Sequence, residues 1–174
     1  MIIWLVGMSG AGKTTLGKKV YQIWKKKDPA TIFLDGDEVR RIFRQDQDIS
    51  AYSLESRREN ARRIHEICRW LDIQGINVVC CILAIFDDIL AENRRTYSSY
   101  FEIYVHVPFE ILQKRDNKNL YAPAIAGTTK NVVGVDIPFP EPKNPDIVVD
   151  NSSSALNHSN IAQKILEKAG VTTA

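Results

Sequence analysis

The chain has 174 residues, 44% of them apolar and 25% charged, with a formal net charge of +2. That length suffices for one domain with a sizeable core, and the intermixed charges form no block of one sign that would call for a nucleic-acid or membrane partner. Its three cysteines, Cys68, Cys80 and Cys81, include no C-x-x-C pair. With His65 alone beside Cys68 they make no zinc set, and buried, reduced thiols of a cytoplasmic protein are expected.

In chain order, the apolar run Ile2–Val6 reads as a first strand, too short for a signal peptide or a membrane span. Gly7 to Thr14 then spell a complete G-x-x-x-x-G-K-[ST] loop. Its glycines let backbone N–H groups face an anion, Lys13 adds a cation and Thr14 a hydroxyl for Mg²⁺, so ATP or GTP binding is expected. A helix over Lys13–Lys27 follows, its basic end (Lys25 to Lys27) complementing the dipole. Further strands are predicted at Thr31–Leu34, Ile76–Ile85, Phe101–Val107 and Asp146–Val149, and further helices at Asp37–Phe43, Leu54–Gln74, Asp87–Ser99, Pro108–Arg115 and Ser159–Lys168, with Ser159 as N-cap. Cys80 and Cys81, adjacent on a strand, should face opposite ways. The alternation predicts an α/β fold, a P-loop NTPase three-layer sandwich with a five-stranded parallel sheet. Residues 1–174 are read as one domain, and the aperiodic, proline-bearing stretch 115–145 as a lid.

Asp35-Gly36-Asp37 stands at the carboxyl end of the second strand, where a parallel sheet presents functional groups. Asp35 could accept a hydroxyl proton or hold Mg²⁺ through water, and Asp37 could do chemistry or simply cap the next helix. Arg57 and Asn60, three apart on a helix, share a face and can reach one ligand. Arg62 and Arg63 read as a solvated face. Asp87-Asp88 is an alternative metal or base position after the third strand.

Together these elements resemble the adenylylsulfate kinase family. Its pattern joins a G-x-x-x-x-G-K-T loop, a D-G-D-x-x-R element, an aromatic before an R-x-x-N helix, and K-R-D-x-K-G-L-Y ahead of a lid. The matching residues are Gly7 to Thr14, Asp35-Gly36-Asp37 with Arg40, Tyr52 before Arg57 and Asn60, and Lys114-Arg115-Asp116-Asn117-Lys118-Asn119-Leu120-Tyr121. The resemblance implies transfer of the γ-phosphoryl group of MgATP to the ribose 3′-hydroxyl of a small nucleotide, adenylyl sulfate first. It makes Asp35 the general base, with Lys13 and Asp37 also catalytic. ATP would be held by Gly7, Ser9, Gly10, Ala11, Gly12, Lys13, Thr14, Thr15 and Arg115, and Mg²⁺ by Thr14. The acceptor would be held by Asp37, Arg40, Tyr52, Arg57, Asn60, Lys118, Leu120 and Val132, with Tyr52 stacked on its base. The resemblance also allows a homodimer.

The departures fall on the acceptor side. Asn131-Val132-Val133-Gly134 replaces the usual Asn-Phe-Thr-Gly, and Ala124-Ile125-Ala126-Gly127 lacks the usual arginine. Asn119 stands for a glycine, Leu83-Ala84-Ile85-Phe86 replaces a Ser-Pro, and a few extra residues separate Arg40 from Tyr52. A base–aromatic stack is worth about 1–3 kcal/mol. With one aromatic face missing, a cytidine diphosphate derivative such as cytidine diphosphoramidate is the second candidate acceptor. A GTPase is disfavoured because Asn117-Lys118-Asn119-Leu120 lacks the guanine-reading aspartate. A non-catalytic ATP-sensing module is the alternative from another class.

Overall fold

The computed structural model describes residues 1–46, 49–116, 118–153 and 155–171; Asn117 of the lysine-rich element and Ser154 of the last loop lie outside them. β1 (Ile2–Val6) leads into α1 (Lys13–Lys27). β2 (Thr31–Asp35) leads into α2 (Gly36–Ile42), a 3-10 turn (Ile49–Tyr52) and α3 (Leu54–Ile73). β3 (Asn77–Ile82) precedes α4 (Asp87–Thr96), β4 (Tyr100–His106) precedes α5 (Phe109–Arg115) and α6 (Tyr121–Ile125), and β5 (Ile147–Asp150) precedes α7 (His158–Lys168). The strands pair in parallel in the order β2-β3-β1-β4-β5, the α/β P-loop architecture read from the sequence.

Because strand side chains alternate between faces, each strand feeds two cores. Ile3, Leu5, Val79, Cys81 and Ile103 pack with Leu16 and Val20 of α1 and Ile165 and Leu166 of α7. Ile2, Trp4, Val6, Val78 and Cys80 pack with Ile64 and Cys68 of α3 and Ile89 and Leu90 of α4. Cys80 and Cys81 thus face opposite ways, and all three cysteines are buried and free. His65 is occupied by Asn93, its Nδ1 lying 2.7 Å from Oδ1. Every β1 residue is buried, and burying one such side chain contributes about 1.5–3 kcal/mol. The two cores therefore clamp β1 and fix where its outgoing loop emerges. β1 lies between β3 and β4, where the strand order reverses, so that loop opens on the crevice at the carboxyl ends.

Several boundaries differ from expectation for local reasons. Asp35, not Asp37, caps α2, its Oδ1 accepting the Asp37 N–H at 3.0 Å. Asn157, not Ser159, caps α7, accepting from the N–H groups of Ser159 and Asn160. α4 stops at Thr96 because the Ser98 N–H and hydroxyl turn aside to Asp72. The stretch 115–145 contains α6, nucleated by the Asp116 carboxylate, which collects the N–H groups of Leu120, Tyr121 and Ala122. Further along, Val133 and Ile137 join Ile85 in a small third core. Among the described residues no helix is long and apolar enough to cross a membrane.

Candidate active site

A cleft of about 740 Å³ opens at the carboxyl ends of the strands, lined by Ser9, Gly10, Gly12, Lys13, Thr14 and Thr15 on one side. The first N–H groups of α1 have no partner within the helix, so the loop presents donors and the positive end of a dipole to an anion. Gly12 is held at φ 91, a left-handed conformation that L side chains rarely adopt. A Cβ there would collide with Asn151 Nδ2, and that amide braces the loop by donating to Ala11 O at 2.8 Å. Tyr121 braces it from the other side, its hydroxyl donating to Ser9 O at 2.8 Å. Lys13 Nζ donates to Met8 O at 2.8 Å. Burial pushes its ammonium down to about 8 against an ordinary 10.5, with the nearby Cys81, Asp37 and Asp35 only partly offsetting this.

Across the floor, Thr14 Oγ1 donates to Asp35 Oδ2 at 2.7 Å. Asp35 is therefore aimed into the cleft beside Lys13 by two constraints, the Thr14 hydroxyl and the α2 cap. Lys118 reaches Asp37 at 2.6 Å. Desolvation works against the charge of Asp37, but the Lys118 ammonium outweighs it and holds the carboxyl below its ordinary range.

The far wall carries Arg40, Tyr52, Arg57, Asn60, Leu120 and Val132. The guanidinium groups of Arg40 and Arg57 lie 5.3 and 5.5 Å from the Tyr52 ring centroid. Arg40 donates to Ala51 O, while Arg57 donates to Tyr52 O and Asn131 O at 2.8 Å each. Burial lowers both guanidinium pKa values, and for Arg57 the neighbouring Arg40 adds to the effect. Asn60 is 3% exposed, yet its Oδ1 has no partner. A buried acceptor left unpaired costs about 1–3 kcal/mol, so Asn60 is poised for a donor.

Three residues expected at the ATP site do not reach the cleft wall. Gly7 sits beneath it, where a Cβ would strike Val105 O, and Ala11 is fully buried. Arg115 donates to Asn151 O and Ser152 O at 2.9 and 2.7 Å, on the far side of the Asn151 brace. Asp87 and Asp88 lie outside the cleft, paired with Lys143 and Arg58 at 2.7 and 2.6 Å. Arg63 is likewise engaged, with Glu59. Conversely, Asp46, Cys81, Asp116 and Tyr121 line the cleft although the sequence reading assigned them no role. Asp46 falls in the stretch between Arg40 and Tyr52, whose extra length was the one signal that could have drawn attention to it.

The Thr14 hydroxyl and Asp35 carboxylate supply hard oxygen donors beside the phosphate loop, which suits Mg²⁺. Among the described residues no group of three acidic, histidine or cysteine side chains could hold a metal. A cation here would thus draw its remaining ligands from phosphates and water, as Mg²⁺ commonly does.

A phosphate loop at the switch point of a five-stranded parallel sheet, facing a second polar wall across one cleft, defines a P-loop kinase. The profile of the adenylylsulphate kinase family matches residues 1–150, and the chain belongs to that family. It is 37% identical over 164 residues to the cytidine diphosphoramidate kinase of Campylobacter jejuni, covering 94% of this chain and 91% of that protein. It is 34% identical over 166 residues to the adenylyl-sulfate kinase of Gloeothece citriformis, covering 95% and 92%. Among solved structures, the Mycobacterium tuberculosis APS kinase CysC in complex with AMPPNP and APS superposes with a TM-score of 0.84 at 27% identity, covering 97% of this chain and 96% of that one.

Proposed function

We propose that this phosphotransferase moves the γ-phosphoryl group of ATP to the ribose 3′-hydroxyl of a small nucleotide, with adenylyl sulfate as acceptor. The observation that carries the reading is the 2.7 Å bond between Thr14 and Asp35, which joins the donor-phosphate loop to a carboxylate at the tip of the neighbouring strand. In this reading the triphosphate lies along the N–H groups of residues 9–15 against Lys13. Asp35 takes the 3′-hydroxyl proton as that oxygen bonds to the γ-phosphorus; the bond to the bridging oxygen breaks and ADP leaves. Mg²⁺ held by Thr14 would supply neutralisation of phosphate charge. Asp37, fixed by Lys118, orients the acceptor with Arg40, Arg57 and Asn60, and Tyr52 stacks on the base opposite Leu120 and Val132. The 115–145 segment acts as a lid that keeps out water, the competing phosphoryl acceptor. We read residues 1–174 as one kinase domain, acting in the cytoplasm in sulfate assimilation, as a homodimer.

Val132 favours a second acceptor, cytidine diphosphoramidate. It is 1% exposed and aliphatic where the family resemblance calls for an aromatic ring, so the base site offers one stacking face. A coupled ADP-release assay with each acceptor, followed by locating the new phosphate on the ribose, tests both. Turnover with the cytidine compound alone overturns the first reading. ATP binding with no acceptor-dependent ADP release from either favours the sensing module.

A further inference from the structure

Four carboxylates line the cleft: Asp35, Asp37, Asp46 and Asp116. Three are engaged, Asp35 by Thr14 and the α2 cap, Asp37 by Lys118, and Asp116 by the first N–H groups of α6. Asp46 has no hydrogen bond or ion pair among the described residues. The cleft's two arginines are turned elsewhere, Arg40 to Ala51 O and Arg57 to Asn131 O. The Asp46 side chain is exposed, while the preceding Gln45 is held by its N–H, which donates to Arg40 O at 2.9 Å, and by its side chain, which accepts from Arg63. An unpaired anion repels the phosphate and sulfate groups of an acceptor and attracts a neutral donor. It stands shortly before Tyr52, the ring proposed to stack on the base.

We propose that Asp46 is a specificity-determining residue that accepts a hydrogen bond from the exocyclic amine of the acceptor's base, adenine N6 or cytosine N4. This rests on the acceptor site proposed above. Both candidate acceptors carry that amine beside a ring nitrogen, whereas hypoxanthine and uracil place a carbonyl oxygen there, and two acceptors then face each other. The added selectivity complements stacking, which tolerates any base.

The test compares the wild type with Asp46→Asn and Asp46→Ala on two matched pairs: adenylyl sulfate against its inosine counterpart, and cytidine against uridine diphosphoramidate. The wild type should favour the amino member in kcat/KM by about tenfold or more, the scale of a hydrogen bond to a charged group. Asp46→Asn, whose amide can also donate to a carbonyl, should bring the ratio close to one with an unchanged unfolding midpoint, and the pair that responds identifies the base. A wild type without amino preference, or a ratio unmoved in both variants, overturns the proposal. Calorimetric titration of the same four nucleotides separates it from the kinase reading. Amino preference in binding that Asp46→Asn removes supports the role of Asp46 even without turnover, whereas binding without preference, or no binding, overturns it.

Discussion

Lys13 offers a pH test of the donor site. Burial lowers its pKa from 10.5 to about 8, a difference of about 3 kcal/mol between its protonation states. Near pH 8 about half the ligand-free molecules therefore hold a neutral Lys13, and near pH 9 about nine in ten do. A triphosphate beside the ammonium favours the charged form and returns the pKa toward the ordinary lysine range. ATP binding should then take up about half a proton at pH 8 and nearly one at pH 9, and the dissociation constant should rise about tenfold from pH 7 to pH 9. The sign follows from the depressed value, since deprotonation of the free protein begins two or more pH units before that of the complex. Isothermal titration calorimetry at each pH, in two buffers of different ionisation enthalpy, reads proton uptake directly. A dissociation constant flat from pH 7 to pH 9 with no proton uptake would refute the assignment of Lys13 as the buried cation that meets the phosphates.

Three further outcomes are expected. Asp35→Asn should retain ATP binding and lose about 10²–10⁴-fold in turnover, whereas Asp87→Asn, outside the cleft, should change turnover little; the reverse pattern in one ADP-release assay would move the base to Asp87. Gly12→Ala should lower stability by about 1–3 kcal/mol and weaken ATP binding, because a left-handed backbone and the Asn151 amide both oppose a methyl there; urea unfolding with an ATP titration would detect both losses. Tyr52→Ala should reduce acceptor kcat/KM by about 1–3 kcal/mol equivalent while leaving the KM for ATP unchanged; a matching rise in the ATP KM would contradict a base-stacking role.

The sheet and the phosphate loop were legible because both are written locally. Continuous apolar runs rich in β-branched residues mark the strands, and the Gly7 to Thr14 spacing works only between a strand and a helix. The capping of α2 was not legible: Asp35-Gly36-Asp37 offers two carboxylates, and only the extended backbone at Asp35, φ −120 and ψ 131, decides which one turns back. α6 escaped notice because the carboxylate of Asp116 organises its start and Pro123 lies within it, which hides any period. Asn119, in place of the family's glycine, sits at φ 48, the left-handed region that asparagine tolerates best after glycine. The substitution thus keeps the turn that the motif needs. Asp46 was passed over because the longer stretch between Arg40 and Tyr52 was its one trace in the sequence, and that its neighbours in the cleft are engaged is visible only in the fold.

The amide of Asn151 ties Ala11 to a partner 140 positions away, and the same residue meets His158 at 3.1 Å and Arg115 at 2.9 Å. The cradle is thus braced by a residue that follows β5 and does not itself line the cleft. Its grip on a triphosphate is coupled to the seating of that edge strand, so loosening β5 should loosen nucleotide capture at a distance, with every residue of the loop left in place.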